Sequence, residues 1–179
     1  MKWSKPLEGW FKLNSDEASC GNPGKALGGG LIRNYSGKWL KGFARSIGFA
    51  TSVSAEFWAL KDDLKLALSE GIQNLIVELD VRVVVDVVNS NVDTNKPYSP
   101  FLCDYKCLLR RIPRVQVVHV YREGNRCTDA LARWESTMEE DFTVFSSPPS
   151  LDVLYLVNMD MVGMYVIRRT GTSLTACVR

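Results

Sequence analysis

The chain changes its hydrophobic period once and abruptly, and that change constrains the fold more than any other feature. Before residue 50, strand-like runs at residues 10–16, 27–34 and 38–47 are separated by the turn signals "GNPG" and "YSG", the pattern of an antiparallel meander. After "TSVSAE" the spacing becomes helical: Phe57, Leu60, Leu64, Ala67 and Leu68 recur on one side, Lys61, Asp62 and Lys65 lie between them, and Gly71 ends the segment. A meander followed by an amphipathic helix points to a sheet with helices laid against it.

The remaining segments extend that arrangement. "NLIVELD" is a short apolar run of the kind a buried strand uses, and "VRVVVDVVNS" follows as a helix whose β-branched residues leave the decision to tertiary context. "SPFLCDYKCLLRRI" opens with Ser-Pro, a favourable helix start; "VQVVHVY" reads as another buried strand; "NRCTDALARWESTM" gives a last clear helix with Asn125 as its cap. Three strands, helix, strand, one or two helices, strand and helix make an α/β domain with a mixed sheet flanked by helices. The domain is expected over residues 1–138. Residues 139–179 form a C-terminal extension in which "SSPPS" leads to an apolar tail, packed on the domain or partly flexible.

At 179 residues, the chain is long enough for one domain with a real core. A formal net charge of +2 names no partner by itself, so attraction to a polyanion has to come from local clusters of Lys and Arg. Five cysteines without a Cys-x-x-Cys pair argue against a secreted disulfide framework and a structural zinc site; Cys103 and Cys107, one helical turn apart, are expected to pack on a helix face. The polar, aromatic start "MKWSKPLEGW" lacks a signal core, and no apolar run approaches the roughly 20 residues that span a bilayer. The expected location is cytoplasmic or nuclear.

Four carboxylates fall at ends of elements: Asp16 at the end of the first strand, Glu56 in the first turn of the long helix, Asp80 at the end of the fourth strand and Asp129 at the opening of the last helix. Glu56 shares a helix side with residues 60, 63 and 67, a core-facing edge where a carboxylate needs a partner. Each acid taken singly has an ordinary structural reading as a helix-start or turn residue. Convergence of several would be costly unless some were protonated or a cation sat among them. Without a cysteine or histidine cluster, that cation is Mg²⁺ or Mn²⁺.

With their surroundings, these residues resemble the type 1 ribonuclease H family, in particular its plant, retroelement-like (reverse transcriptase-like) branch. The resemblance rests on "KLNSDEASCGNPGKALGGGLIRN", "TSVSAEFWAL", "LIVELD" and "HVYREGNRCTDALAR", in the family's order, over about residues 3–138, with "PPSLDVLYLVNMDMVG" similar to the plant branch's tail. It implies a ribonuclease H-like mixed five-stranded sheet. It also implies that Asp16, Glu56, Asp80 and Asp129 are the catalytic, metal-coordinating carboxylates, holding two Mg²⁺ (or Mn²⁺) ions for hydrolysis of RNA within a duplex. Asn22, Thr51 and Ser52 resemble segments that contact the nucleic acid, as does Arg122, and His119 stands at the separation from Asp129 found for a proton-transferring histidine. The implied partner is a duplex containing RNA, an RNA/DNA hybrid or double-stranded RNA, with a monomer as default and no membrane.

Two positions depart from the family pattern: Glu17 stands where most members have Gly, and Val81 where Ser is common. Strand alternation turns Glu17 away from Asp16, yet it could narrow or recharge the RNA track. These departures keep open an alternative, a catalytically inactive nucleic-acid-binding module derived from a retroelement domain. Arg110, Arg111, Arg114, Arg122 and Arg126 form the densest basic region in the sequence, a candidate for phosphate contact.

Overall fold

The meander is present and longer than the turn signals alone required. Strands β1 (Phe11–Gly21), β2 (Gly24–Arg33) and β3 (Trp39–Ala50) are consecutive antiparallel neighbours in the computed structural model, which describes residues 3–90, 99–134 and 141–163. Helix α1 (Ser52–Ser69) follows, with the Thr51 hydroxyl accepting from the Ser54 N–H as its cap and Gly71 leaving at φ +69°. The chain continues through β4 (Asn74–Leu79), α2 (Arg82–Asn89), α3 (Ser99–Arg110), β5 (Arg114–His119), a 3₁₀ turn (Arg122–Gly124) and α4 (Arg126–Trp134). Strand β6 (Phe142–Phe145) and helix α5 (Leu151–Met161) complete it.

The strands form one mixed sheet in the order β5-β4-β1-β2-β3-β6, with β1, β4 and β5 mutually parallel. The sixth strand, absent from the five-stranded expectation, comes from the extension and pairs antiparallel with β3, Phe43 opposite Val144. Its four residues alternate between exposed and half-buried, too short a run to stand out in sequence. Strand β5 was expected to be buried. It is instead a sheet edge with an alternating, partly exposed pattern, because nothing pairs beyond it among the described residues. Cys103 and Cys107 are exposed rather than packed.

Helices cover both faces. On one side Phe57, Leu60, Leu64 and Ala67 of α1 meet Leu13, Ile32, Leu75, Val77 and Leu79 of the sheet, with Val84, Val88 and Tyr105 from α2 and α3 closing the cluster. On the other, Leu31 packs with Cys127 and Leu131 of α4 and Val153 and Val157 of α5. The β2 glycines permit the close approach. A Cβ on Gly29 would lie 2.5 Å from the Ala132 nitrogen of α4, and one on Gly30 would lie 1.9 Å from an Asp63 carboxylate oxygen of α1. No described helix is long and apolar enough to cross a membrane.

Candidate active site

Asp16 lies in the middle of β1, not at its end as the turn signal suggested. It is opposite Gly29, and β1 runs on to the hairpin at 21–24. The site forms because β4 is the shorter neighbour. Its register with β1 ends at the Asn14–Glu78 pair, so β1 continues past it with one flank open, and Asp80 follows directly at the end of β4. Glu56 comes down from the first turns of α1 and is fully buried. Ligand-capable oxygens of Asp16, Glu56 and Asp80 all lie within 4.8 Å of one another.

The electrostatics of that notch are unfavourable to the bare acids. Burial pushes the Asp16 carboxyl well above the usual range, and the charges of Asp80, Glu56 and Asp129 push the same way against Arg122. Burial also raises Glu56, with Asp80 and Glu17 adding to it; Asp80 is raised by burial although Arg122 pulls it back. Among the described residues, Asp16 Oδ2, both Glu56 oxygens and Asp80 Oδ1 have no hydrogen-bond partner. Orphaned, desolvated acceptors without thiolate or imidazole among them suit a hard divalent cation. The donor set therefore fits such an ion.

Asp129 stands in the first turn of α4 and outside this three-acid group, its carboxylate held by Arg133 at 3.0 Å. Its charge is nevertheless felt at Asp16 and Asp80. Asn125 stands where the cap of this helix was expected, directly before Arg126, and its carbonyl accepts from the Asp129 N–H at 3.2 Å. Its buried side-chain amide donates to the Ser15 carbonyl at 2.5 Å, tying the start of α4 to the strand residue beside Asp16.

The other candidates divide. Asn22, Thr51 and Ser52 converge where the β1–β2 hairpin meets α1: Asn22 Oδ1 accepts from the Ser52 N–H at 3.2 Å, and the Ser52 and Ser19 hydroxyls are 3.1 Å apart. Glu17 lies on the α1 face, since its partner Gly28 looks at Ala59 while Gly29 looks at α4. Burial raises its carboxyl against the opposing pull of the Ser19 and Ser52 hydroxyls. Arg122, two-thirds exposed, donates to Asp80 Oδ2 at 3.3 Å. Burial alone would lower its guanidinium, but Asp16 and Asp80 outweigh that and hold it charged. His119 Nε2 lies 3.2 Å from the Asp80 carbonyl oxygen, to which it donates as N–H.

The five arginines do not form one patch. Arg122 and Arg126 are near the acids, whereas Arg110, Arg111 and Arg114 sit at the opposite end of β5, where α3 turns into the strand. Proximity in sequence misled here because β5 carries the chain from one end of the sheet to the other. Sequence reasoning also passed over a buried polar set beneath the acids, formed by Asn14, Arg33, Glu78 and Asp160. The available signal was polar residues at inward positions of otherwise apolar runs, "KLNSD", "LIRN" and "LIVELD".

A mixed sheet with helices on both faces and three acids at the end of its central parallel pair is the ribonuclease H fold. The RNase H1 of the halophilic archaeon Halobacterium salinarum superposes on 69% of this chain and 95% of its own, with a TM-score of 0.65 and 30% identity. LC11-RNase H1, solved in complex with an RNA/DNA hybrid, covers 69% of this chain and 94% of its own, with a TM-score of 0.64 at 24% identity, a likeness of fold alone. The reverse transcriptase-like family matches residues 14–135, and the chain belongs to that family. A candidate ribonuclease H protein of Arabidopsis thaliana is 34% identical over 147 residues, 82% of this chain; the chain spans about a quarter of that relative's length, 24%.

Proposed function

We propose that the protein is a metal-dependent, ribonuclease H-type endonuclease that hydrolyses RNA within a duplex, with an RNA/DNA hybrid as the first substrate to consider and double-stranded RNA as the second. The observation that carries this reading is the convergence of unpartnered oxygens from Asp16, Glu56 and Asp80 at the open flank of β1. Asp16, Glu56 and Asp80 would hold the divalent cation, two Mg²⁺ (or Mn²⁺) ions in the full site, with Asp129 beside the second. Such ions supply a water ionised near neutral pH and neutralise charge on the leaving oxygen.

The chain's own groups do the rest. Arg122, exposed and kept charged beside Asp80, would bind a phosphate oxygen. Asn22, Thr51 and Ser52 offer polar atoms at the hairpin–α1 junction, the chemistry needed to read 2′-hydroxyls in the wide groove of an A-like duplex. His119, engaged with the Asp80 carbonyl, is given a holding role rather than proton transfer.

A second reading, a binding module without turnover, is favoured by Glu17, whose buried carboxyl sits against Ser19 and Ser52 on the same track. Both are tested by incubating end-labelled RNA/DNA, RNA/RNA and DNA/DNA duplexes with wild type and Asp80→Asn, in Mg²⁺ and in EDTA. Mg²⁺-dependent cutting of an RNA strand, lost in the variant, supports the nuclease. Duplex binding without cutting by folded wild-type protein supports the module.

A further inference from the structure

Beneath the acids lies a continuous buried polar network that the reaction itself does not use. The Arg33 guanidinium, 1% exposed, donates from Nη1 to Asp160 Oδ2 at 2.7 Å and from Nη2 to Asn14 Oδ1 at 2.6 Å, and its face lies 3.6 Å from the centre of the Trp3 ring. Asn14 passes the connection on, its Nδ2 donating to Glu78 Oε2 at 2.8 Å, while Glu78 Oε1 pairs with Lys12 at 2.7 Å. At the other end, Asp160 Oδ2 also accepts from the Cys127 thiol at 3.3 Å, and Oδ1 faces the Arg126 guanidinium at 3.7 Å.

The spacing of these contacts relates them to the site. Asn14, Glu78 and Cys127 each stand two positions before an acid, Asp16, Asp80 and Asp129 respectively. On a strand, residues two apart share a face, and on α4 a shift in the first turn carries Asp129 with it. The three elements that supply those acids, β1, β4 and α4, are thus joined one layer below them: Asn14 links the two strands, and the Asp160 carboxylate of α5 links Arg33 to the first turn of α4, beside the Asn125–Ser15 hydrogen bond.

We propose that Asp160 is a positioning residue for the acidic site: from the C-terminal helix α5 it sets the first turn of α4, with Arg126 and Asp129, against the strand that carries Asp16. The proposal rests on the reading of the acids as a cation centre. It makes α5 part of the functional unit, acting through its one buried charge. A buried charge pair is suited to such a role because it tolerates few alternative geometries, whereas apolar packing on the same helix can slide.

The test uses the full chain and compares Asp160→Asn with Val157→Ala, which thins the packing of the same helix and removes no hydrogen bond or ion pair of the network. Mn²⁺ affinity is read from water-proton relaxation, and α4 is followed by amide hydrogen exchange. Asp160→Asn is expected to weaken Mn²⁺ binding by about tenfold or more and to speed exchange in the first turn of α4. Val157→Ala, at comparable loss of thermal stability, leaves both near wild type, and Asp160→Glu recovers part of the affinity. Equal affinity and exchange in Asp160→Asn and Val157→Ala would overturn the positioning role. Should Asp160→Asn not fold, the double variant Arg33→Met/Asp160→Leu removes the buried pair whole and is judged by the same two outcomes. If the wild type binds Mn²⁺ but cuts no RNA, the nuclease reading fails while affinity and exchange still decide the positioning role; if it binds none, exchange decides alone.

Discussion

Asp63 offers a direct measure of how strongly this core resists charge. It lies on α1, wholly buried, in the slot that Gly30 leaves open, with the Ser15 hydroxyl beside its carboxylate. Burial lifts its carboxyl well above the ordinary 3.8, with Asp62 and Glu56 adding to the lift and Ser15 opposing it. In the unfolded chain the group loses its proton near the ordinary value, whereas in the folded chain it keeps it. Folded protein therefore binds more protons, and stability falls as pH rises from the ordinary value towards the raised one. The slope is about 1.4 kcal/mol per pH unit for one proton retained. Asp63→Asn has no proton to lose at that position, so its stability relative to wild type should climb by that slope above about pH 4 and level off once the folded Asp63 ionises. Urea unfolding of both proteins in EDTA, from about pH 4 to about pH 7, measures the difference directly. A difference that stays constant across the range would refute the argument, because it would mean that Asp63 titrates alike in both states.

Four further outcomes can be measured. In EDTA the raised carboxyls of Asp16, Glu56 and Asp80 give a stability that declines with rising pH, and Mg²⁺ should reverse the decline, by about 2.7 kcal/mol at a hundredfold excess over its Kd; melting temperatures near neutral pH with and without the ion check this. By the same repulsion, Asp16→Asn should raise the melting temperature of the metal-free protein. Val81 occupies the N-cap position of α2 with no side-chain hydrogen bond, so Val81→Thr, which keeps most of its shape and adds a hydroxyl, should gain about 0.5–1 kcal/mol in chemical unfolding. Gly29→Ala places a methyl against the α4 backbone and should cost about 1–3 kcal/mol in the same assay, with loss of Mn²⁺ affinity as α4 is pushed off the sheet.

Much of this fold is legible in the sequence because its signals are local. The meander is announced by its turns, α1 by its period, and β4 by "LIVEL". The three acids are legible as well, each at a change of element, although Asp16 owes its open flank to the shortness of β4 rather than to the end of β1. What escapes is what depends on distant pairing. Strand β6 is defined only by its partner β3. The clustering of five arginines along the sequence is undone by the direction of β5. Asp160 looks like a polar interruption of an apolar tail until Arg33, 127 residues away in sequence, is seen beside it. Glu17 shows a further limit: alternation places it on the α1 face, yet α1 brings Glu56 to the same place, so a residue pointing away from Asp16 still adds to the charge of the site.

The most direct test of the central claim is crystallographic. Crystals soaked in Mn²⁺ and measured at the manganese absorption edge show where divalent ions bind. The account requires an anomalous peak coordinated by Asp16, Glu56 and Asp80, with a second towards Asp129 at higher Mn²⁺. A map of well-ordered crystals without a peak among those three carboxylates would contradict it.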